Sequence, residues 1–478
     1  MVGVVGIAFP KFRLVSTLGA YQDLAKDGLW ETTMTTKRMG LSGKPETAAE
    51  MAARFDDLHP PYNEMMAMTE SNRCLYCYDA PCTTACPTSI DIPAFIRKIS
   101  TGNPNGAAKT ILEENILGGT CARVCPTETL CEQACVCNEL EGGPVPIGRL
   151  QRYAVDHFME ADKPHPFGRK PSSGKTVAVV GAGPAGLACA HRLAMLGHDA
   201  VVFEAKAKAG GLNEYGLAAY KMTNDFAQKE VDFLLEIGGI TIQYEQRLGD
   251  NLLLADLSRD YDAVFIGIGL GDVNDLGLEG EDKDGIHSAI DFIEEIRQAP
   301  DKRDVAVGDN VIVIGGGNTA IDAAVQAKRL GAGEVTLVYR RGAEQMGATD
   351  FEQDLAKLND VIVRYWSMPS GIKGNGKVES MVFEKAELDG GKLMGTGETY
   401  EVKADMVLKA VGQKLLPSGL DGIELNRGKL VLDEKFQTTM GGVFAGGDAV
   451  ASGEDLTVQA VEDGKQAAHA IDQYLSGM

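Results

Sequence analysis

The sequence predicts an α/β protein with a cysteine-bearing α-helical domain at its N-terminus, followed by two nested Rossmann-like domains. Nine of the ten cysteines lie between Cys74 and Cys137, among segments with helical signals. Beyond residue 170 the pattern changes: apolar strands run into glycine-rich turns and helices, and this unit occurs twice. A further strand and a helix close the chain after the second unit. We expect the helical domain at 1–165, the first Rossmann-like domain at 170–270 and 413–478, and the second at 271–412.

Composition and charge exclude several classes of protein. The chain has 478 residues, 44% of them hydrophobic and 24% charged, which is ordinary for a globular protein of several domains. Its formal net charge is −22, whereas nucleic acid and anionic membranes both need a basic surface. The N-terminal MVGVVGIAFP lacks the basic flank of a signal peptide, and no apolar run approaches the length of a membrane span. We therefore expect a cytoplasmic protein with reduced thiols, and neither nucleic acid nor a membrane as partner.

The cysteine segment carries the strongest chemical signal. Each of its two runs contains a Cys-Pro pair, and thiolates at such short spacing are typical of iron–sulfur clusters. A zinc site would require two CxxC pairs or a mixture of cysteine and histidine. Cys74 and Cys77 form a single CxxC pair, and no histidine lies between Cys74 and Cys137. A disulfide framework would need a secreted context. Iron–sulfur is therefore favoured over zinc. The runs are Cys74, Cys77, Cys82 and Cys86, then Cys121, Cys125, Cys131, Cys135 and Cys137.

Short helices are expected around these cysteine runs. Asp91 can cap a helix that has Pro93 in its first turn. Pro104 is expected to lie beyond its end, and a second helix is expected from Ala107 to Asn115. The first domain is therefore predicted to be small, helical and wrapped around metal.

The first Rossmann unit has the complete dinucleotide fingerprint. An apolar strand at 177–180 leads into a helix to Leu196, and a second strand ends at Glu204. Glycines in the turn allow its tight bend and the approach of the backbone to a pyrophosphate, while the helix N-terminus faces the phosphates. Glu204 is placed to accept a hydrogen bond from a ribose hydroxyl. The alternative is a βαβ unit without a ligand, against which the full context argues. The turn residues are Gly181, Ala182, Gly183, Pro184, Ala185 and Gly186.

The second unit repeats the pattern. A strand at 311–314 leads into a helix to Leu330, and the next strand is expected at 335–339. Arg340 and Arg341 then stand where an acid would favour NAD, and a guanidinium there can bind the 2′-phosphate of NADP. Two solvated arginines at the end of a loop are an equal alternative. The turn residues are Gly316, Gly317, Asn318 and Thr319.

A Gly-Gly-Asp sequence ends the last expected strand. Asp448, beside Gly446 and Gly447, can bind a ribityl hydroxyl. Thr457 and Val458 open a helix whose N-terminal dipole can stabilise negative charge on a reduced flavin. A plain surface turn before a terminal helix is the alternative.

These motifs resemble the two-dinucleotide-binding flavoprotein family. The resemblance rests on the fingerprint at Gly181, on Glu204, on the inserted second unit, and on the segments Gly210-Gly211-Leu212 and Gly446-Gly447-Asp448. With the cysteine domain in front, the chain is similar to the small subunit of glutamate synthase, and closer still to the N-terminal part of dihydropyrimidine dehydrogenases. The closer match rests on residues 82–92, 106–109, 119–127 and 148–151, and the resemblance covers about residues 60–478.

The resemblance implies two [4Fe–4S] clusters as well as FAD and NAD(P)H. One cluster would be held by Cys74, Cys77, Cys82 and Cys135, and the other by Cys86, Cys125, Cys131 and Gln151. Spacing alone offers Cys121 or Cys137 as the eighth ligand, and the alternative for Gln151 is a surface residue. An amide oxygen on iron is expected to change the reduction potential of the cluster relative to four thiolates.

The resemblance also implies two nucleotide sites. FAD would lie on Ala182 to Gly186, Glu204, Gly211, Leu212, Leu248, Gly447, Asp448, Thr457 and Val458. The nicotinamide nucleotide would lie on Gly316 to Thr319, Arg340, Arg341, Ala410, Val411 and Gly412. Two departures matter. Lys221 stands where the pyrimidine enzyme has an arginine near the flavin, and Gly347 where the animal enzyme has a second phosphate-binding arginine, so the nucleotide is left as NAD(P)H.

The function implied by the resemblance is the electron-input subunit of an NAD(P)H-dependent dihydropyrimidine dehydrogenase. Hydride transfer between cofactors needs no catalytic side chain, and none is expected. The sequence ends at Met478 without an FMN barrel. We therefore expect a heteromeric enzyme in which a separate FMN-containing subunit reduces uracil or thymine to the 5,6-dihydropyrimidine. The alternatives are a glutamate synthase small subunit, or a related NAD(P)H:acceptor subunit, and a non-catalytic iron–sulfur scaffold.

Overall fold

The computed structural model describes residues 43–45, 47–160 and 163–477. The part of the predicted helical domain that precedes residue 43 lies outside the described residues. Within these ranges, no helix combines the length and the apolar character that a membrane span requires.

The region before the first strand is helical, as predicted. Single 3₁₀ turns at Thr127–Thr129 and Val136–Glu139 lie near its end. Most of the cysteines lie in the connections between helices, so the thiols are carried by loops whose ends are held by packed helices. The helices are α1 (Ala48–Arg54), α2 (Glu64–Ser71), α3 (Pro81–Thr84), α4 (Ile92–Ser100), α5 (Pro104–Glu114), α6 (Gly118–Val124) and α7 (Ile147–Met159).

Local sequence explains where α4 and α5 begin. The Asp91 carboxylate caps α4 as predicted, accepting a hydrogen bond from Ala94 N at 3.1 Å. Helix α5 begins at Pro104, earlier than the predicted Ala107, because a proline in the first turn has no N–H to leave unsatisfied. The Asn103 side chain caps this helix by accepting from Gly106 N at 2.9 Å.

The first part of the chain after the helical domain alternates strands and helices. The strands β1 and β2 pair in parallel, with the buried β1 running directly into the glycine-rich turn. The elements are β1 (Thr176–Val180), α8 (Pro184–Leu196), β2 (Asp199–Phe203), α9 (Leu212–Tyr215), α10 (Phe226–Leu235), β3 (Ile240–Gln243), α11 (Leu254–Asp260) and β4 (Ala263–Ile266).

A second domain is inserted after β4. Its elements are β5 (Asp272–Val273), β6 (Ile286–Ser288), α12 (Ala289–Gln298), β7 (Asn310–Gly315), α13 (Asn318–Leu330), β8 (Glu334–Val338), α14 (Asp350–Leu358), β9 (Ile362–Arg364), β10 (Ser367–Lys373), β11 (Ser380–Asp389), β12 (Lys392–Lys403), β13 (Met406–Ala410) and β14 (Gln413–Lys414). A parallel sheet has the order β6-β13-β7-β8-β9, and an antiparallel sheet has the order β10-β11-β12. The strands that lead into and out of the domain, β5 and β14, pair antiparallel. Two 3₁₀ turns, Lys302–Asp304 and Ala343–Gln345, complete it.

The chain then returns to the first sheet. The closing elements are β15 (Leu425–Asn426), β16 (Lys429–Leu430), β17 (Val443–Ala445) and α15 (Thr457–Ser476). The first parallel sheet has the order β17-β4-β1-β2-β3, with Val443 opposite Val264. The last strand therefore completes the sheet that the first Rossmann unit began, which confirms the predicted nesting.

Two packing contacts set how the parts of the described chain meet. Helices α8 and α15 approach so closely that a Cβ on Gly464 would lie 2.1 Å from the Ala185 carbonyl oxygen. Helix α1 packs on α13 of the inserted domain, although it precedes the cysteine segment in sequence. Met51 and Phe55 share one buried apolar cluster with Leu330.

Candidate functional site

The structure brings the first predicted cysteine group together. Cys74, Cys77, Cys82 and Cys135 line one cavity beneath the loop after α2, and Cys137 lines it as well. Among the described residues, no three Cys, His, Asp or Glu side chains are placed to bind a single metal ion. A cubane cluster poses a different geometric demand, because each thiolate binds a different iron.

The ionisation of these thiols fits a cluster site. Burial raises the pKa of Cys74, and it raises the pKa of Cys82 to about 11, with neighbouring cysteines adding to the effect. Thiols with raised pKa values stay protonated near pH 7 unless a cation stabilises the thiolate. An iron centre supplies that positive charge, so the donor set fits the group that the sequence predicts.

A second group of thiols lies deeper in the helical domain. Cys86, Cys125 and Cys131 interact electrostatically with one another. The pKa of Cys125 lies well above its ordinary value, first because Cys121 hydrogen-bonds to it and then because of burial. Burial likewise raises the pKa of Cys131. The predicted ligands Cys86, Cys125 and Cys131 are therefore neighbours, and Cys121 stands beside them as a fourth sulfur.

Gln151, the predicted fourth ligand of this group, is a buried residue of α7 rather than a surface residue. It is 7% exposed, and its Nε2 donates to the Gly118 carbonyl at 2.7 Å. Gly118 is the first residue of α6, the helix that carries Cys121. The Gln151 amide therefore contacts the first residue of the helix that carries Cys121. Ligation by Gln151 stays a prediction.

The turn after β1 has the geometry of a phosphate-binding loop. Gly181 has a φ of +97°, and a Cβ there would lie 2.5 Å from the Gly267 carbonyl oxygen. Gly186 lies so close to the turn that a Cβ there would lie 1.9 Å from the Gly181 carbonyl oxygen, and 3.3 Å from Val179 of β1. At Gly183 a Cβ would meet nothing nearer than 3.8 Å, so this side of the backbone is open to a ligand.

Glu204 stands at the end of β2, where the fingerprint places the ribose-binding acid. One of its carboxylate oxygens accepts from Ala182 N at 2.8 Å and the other from Lys206 N at 2.8 Å. Burial raises the pKa of Glu204, while these two backbone donors oppose the rise. The contacts tie the acid to the glycine-rich turn, so the two halves of the predicted FAD site lie side by side.

The remaining predicted flavin residues converge on the same turn. A Cβ on Gly211 would lie 2.7 Å from the Gly183 Cα, and Leu212 opens α9 directly after it. Gly447 N donates to the Asp463 carboxylate at 2.9 Å, and a Cβ on Gly447 would lie 3.0 Å from the Ala185 Cβ.

Asp448 and the start of α15 provide polar groups beside this turn. Within the described residues, no side chain hydrogen-bonds or ion-pairs with the Asp448 carboxylate, which is left for a ligand. Burial raises the pKa of Asp448 to about 6, and the charge of Asp455 adds to the rise. Thr457, the first residue of α15, donates from its hydroxyl to Asn213 at 3.3 Å, and Val458 behind it is buried.

Two further predicted flavin residues make contacts that stabilise the fold. Leu248 is buried in the apolar cluster on one face of the first sheet. The Lys221 ammonium is buried between Asp322 at 2.8 Å and Glu352 at 2.5 Å, on helices α13 and α14. Burial would lower the pKa of Lys221, yet the two carboxylates raise it overall. Lys221 thus joins the two Rossmann-like domains, and its contact with a flavin stays a prediction.

The inserted domain contains a cavity of about 620 Å³ at the carboxyl ends of its parallel strands. At Gly317 a Cβ would meet nothing within 4 Å, so the turn backbone is open to the cavity. Asn318 opens α13 and accepts from Thr349 N at 3.4 Å. The predicted nucleotide residues on its wall are Gly316, Gly317, Thr319, Arg340, Ala410, Val411 and Gly412.

The two arginines after β8 differ in position. Arg340 lines the cavity and is exposed, whereas Arg341 does not line it and accepts a hydrogen bond from Trp366 N at its carbonyl. Lys409 also lines the cavity and pairs with Glu281 at 3.0 Å. Sequence reasoning missed Lys409, although its position at the end of β13, just before Ala410, was a usable signal.

Two buried contacts join the thiol-bearing domain to the first Rossmann-like domain. One carboxylate oxygen of Glu230, on α10, accepts from Gly119 N at 2.8 Å and from Thr120 N at 3.0 Å, and the other accepts from the Thr120 hydroxyl. The Lys465 ammonium, on α15, donates to the Thr88 carbonyl at 3.2 Å and pairs with Glu114 at 2.8 Å.

These contacts connect the surroundings of the second thiol group to the first Rossmann-like domain, which carries the predicted flavin site. The Thr88 hydroxyl lies 3.3 Å from the Cys86 sulfur, and Gly119 and Thr120 lie in the first turn of α6, the helix of Cys121. The helix α15 that carries Lys465 is also the one whose first residue lies at the predicted flavin site. The second group is therefore structurally coupled to that site.

Two family models match the chain. Residues 51–163 match dihydropyrimidine dehydrogenase domain II, 4Fe-4S cluster, and residues 175–464 match pyridine nucleotide-disulphide oxidoreductase. Together they cover the thiol-bearing domain and both Rossmann-like domains.

Curated relatives align over most of the chain. The NAD-dependent dihydropyrimidine dehydrogenase subunit PreT of Escherichia coli is 35% identical over 427 residues, which cover 88% of this chain and 98% of that protein. The glutamate synthase [NADPH] small chain of the same species is 34% identical over 449 residues, covering 88% of this chain and 94% of that protein. The two identities do not separate the two relatives.

Solved structures share the fold of the Rossmann-like part. FprA of Mycobacterium tuberculosis in complex with NADPH has a TM-score of 0.55 at 21% identity, covering 64% of this chain and 85% of that one. Thioredoxin reductase of Lactococcus lactis has a TM-score of 0.52 at 23% identity, covering 64% of this chain and 100% of that one. At these identities the likeness shows the fold alone.

Proposed function

The chain belongs to the family of iron–sulfur flavoprotein NAD(P)H oxidoreductase subunits that includes PreT and the glutamate synthase small chain, and from this premise we propose that it is the electron-input subunit of a dihydropyrimidine dehydrogenase. In this role it takes electrons from NAD(P)H and passes them through FAD and two [4Fe–4S] clusters to a separate FMN-containing subunit, which reduces uracil or thymine.

The inserted domain binds the nicotinamide nucleotide in this proposal. Its cavity is large enough for such a ligand, and the open backbone at Gly317 with the N-terminus of α13 suits the pyrophosphate. Arg340 lies where it can pair with a 2′-phosphate, and Val411 and Gly412 line the side of the cavity that faces the return to the first domain. These groups bind and orient the nucleotide.

The first Rossmann-like domain binds FAD. Glu204 holds the ribose, the turn at Gly183 faces the pyrophosphate, and the unpaired Asp448 carboxylate accepts from the ribityl chain. The N-terminus of α15 stabilises negative charge at the ring. When bound, the flavin accepts a hydride from the nicotinamide, and the iron–sulfur clusters carry single electrons.

The thiol groups hold the clusters. Cys74, Cys77, Cys82 and Cys135 converge on one cavity. The raised pKa values of Cys74 and Cys82 favour loss of their protons only when a bound cation stabilises the thiolates. Cys86, Cys125 and Cys131, with Gln151 or Cys121 as the fourth ligand, form the second set. Glu230 and Lys465 hold the segments that carry this second set against the FAD-binding domain.

One observation carries the pyrimidine assignment: the thiol-bearing domain matches the family model described as dihydropyrimidine dehydrogenase domain II. The chain is equally similar to the glutamate synthase small chain, so electron input to glutamate synthase is the second candidate. Both relatives are named as subunits, which supports a partner chain in either case.

The deciding experiment combines anaerobic co-expression with two assays. The chain is co-expressed with an FMN-containing candidate partner, and uracil- and thymine-dependent oxidation of NADH and NADPH is measured. A parallel preparation carries a glutamine-hydrolysing large subunit and is assayed for glutamine-dependent amination of 2-oxoglutarate. The proposal predicts activity in the first preparation alone. Activity in the second alone would overturn the pyrimidine assignment in favour of glutamate synthase.

A further inference from the structure

The first thiol group is more exposed than the second. Cys74, Cys77, Cys82 and Cys135 are all partly exposed, whereas in the second group Cys125 is partly exposed and Cys86, Cys121 and Cys131 are buried. Leu75 lines the cavity of the first group and is itself 59% exposed. The loop after α2 and the loop after Cys135 border this cavity from two sides.

These two loops are held next to each other. The Arg73 guanidinium donates to the carbonyls of Gly142 at 2.6 Å and Gly143 at 2.5 Å, and the Cys137 sulfur donates to the Arg73 carbonyl at 3.7 Å. Tyr76 has a φ of +52°, a conformation that L-residues rarely adopt. A hydrogen bond of 2.9 Å between its hydroxyl and Ser100 holds it there. The strained loop is therefore built to present its side chains outward.

The side chains so presented are large and apolar. We call them the apolar rim: Met65, Leu75, Tyr76, Tyr78, Val136 and Leu140, all of them exposed, with Tyr78 fully exposed. Scattered exposed hydrophobic residues are ordinary, but here Leu75 and Val136 line the thiol cavity, and the other four lie on α2 and on the two loops that border it. Exposed apolar residues concentrated on the segments around one site mark an interaction surface. Tyrosine and methionine, with few charges, are also the composition of interface cores.

Acidic residues border the apolar rim. Glu64 precedes Met65, Asp79 follows Tyr78, and Glu139 and Glu141 flank Leu140 in sequence, and all four are exposed. The chain as a whole carries a net charge of −22. A partner for this surface needs an apolar patch with lysine or arginine at its border, since like charges would oppose docking.

We propose that the apolar rim is the docking surface of the electron-accepting subunit, which covers the first thiol group with an apolar patch bordered by basic residues and places its own redox centre opposite. This inference rests on the proposed function and names the surface through which its electrons leave. The second thiol group contacts the flavin side through Glu230 and Lys465, so the first group is the outer of the two.

The test compares two variants of the full-length holoprotein. Met65→Glu/Tyr78→Glu places charge on the apolar rim without altering any residue of the thiol cavity. Leu253→Glu is the matched control, because Leu253 is 53% exposed and lies on the first Rossmann-like domain. Binding to the FMN-containing pyrimidine-reducing subunit is measured by sedimentation, and NAD(P)H oxidation is measured with ferricyanide, a small acceptor that needs no docking surface.

Wild type and the Leu253→Glu control are expected to bind with the same Kd, and the double variant about 30-fold or more weakly, as for loss of a hot-spot side chain. All three should reduce ferricyanide at the same rate. Equal Kd values for the double variant and wild type would overturn the proposal. So would a self-association of the chain that the double variant abolishes, since it gives the surface another occupant. Failure of wild type to bind the FMN subunit, or to reduce ferricyanide, would instead refute the proposed function.

Discussion

Replacing Glu230 by glutamine should make the stability of the protein less dependent on pH. The carboxyl group is buried at the junction of α10 and α6, where it accepts from two backbone N–H groups and the Thr120 hydroxyl. Glutamine keeps the shape and an acceptor oxygen for the N–H groups of Gly119 and Thr120, and the hydroxyl can turn to accept from the amide. It cannot ionise, so the variant isolates the effect of the charge.

The magnitude follows from the pKa of the carboxyl group. Burial raises the pKa of Glu230 from 4.5 to about 7. Because the folded-state pKa is the higher one, the stability that this group contributes is complete below pH 4.5 and is lost as pH rises through 7. Linkage gives a loss of about 2.5 kcal/mol between pH 5 and pH 8, of which about 1.3 kcal/mol falls between pH 6 and pH 8.

The assay is anaerobic urea unfolding of the holoprotein at pH 6, 7 and 8, followed by circular dichroism. We expect the free energy of unfolding of Glu230→Gln, relative to wild type, to increase by about 1.3 kcal/mol across this range. Glu236→Gln, an exposed glutamate directly after α10, is the control and should show no such trend. A constant difference between Glu230→Gln and wild type would show that Glu230 is already ionised at pH 6 and would refute the reasoning.

Three further predictions follow from single contacts. Gly464→Ala should lower the free energy of unfolding by about 2 kcal/mol, because its Cβ would lie 2.1 Å from the Ala185 carbonyl oxygen; an unchanged thermal unfolding curve would contradict the helix contact. Arg340→Ser should raise the KM for NADPH about tenfold and leave that for NADH within about twofold, as steady-state kinetics would show; equal changes would remove Arg340 from the 2′-phosphate. Cys82→Ser should lower bound iron by about four atoms per chain with FAD retained, measured by iron and flavin analysis; unchanged iron would exclude Cys82 as a ligand.

The fold was predictable because its signals are local. An apolar strand, a glycine-rich turn and a helix lie next to one another in sequence, and the turn at Gly181 requires a positive φ that glycine supplies. The ends of the helices and strands were harder to predict: β1, for example, begins at Thr176 rather than Val177. Such ends depend on pairing with neighbouring strands, in this case with β2 and β4.

The candidate site was predictable where the predicted ligands are close in sequence. The spacing of Cys74, Cys77 and Cys82 indicates one cavity, and the structure has it. The contacts of Glu230 and Lys465 could not be foreseen, because each joins an unremarkable helix position to a loop far away in sequence. No local pattern distinguishes these two side chains from solvated charges.

The same limit applies to the choice of the eighth ligand and to the docking surface. Cys121 lies only four residues before Cys125, and the two side chains interact, whereas Gln151 meets α6 only through the packing of α7 on it. The exposure of Tyr78 and Leu140 is equally invisible in the sequence, since both would normally count as core residues.

The most direct test of the electron relay is the metal and flavin content of the chain after anaerobic purification, together with its response to NADH and NADPH. The account predicts about eight iron and eight acid-labile sulfide per FAD, with bleaching of the iron–sulfur absorbance when reduced nucleotide is added. A protein that binds FAD but contains zinc, or neither iron nor sulfide, would contradict it.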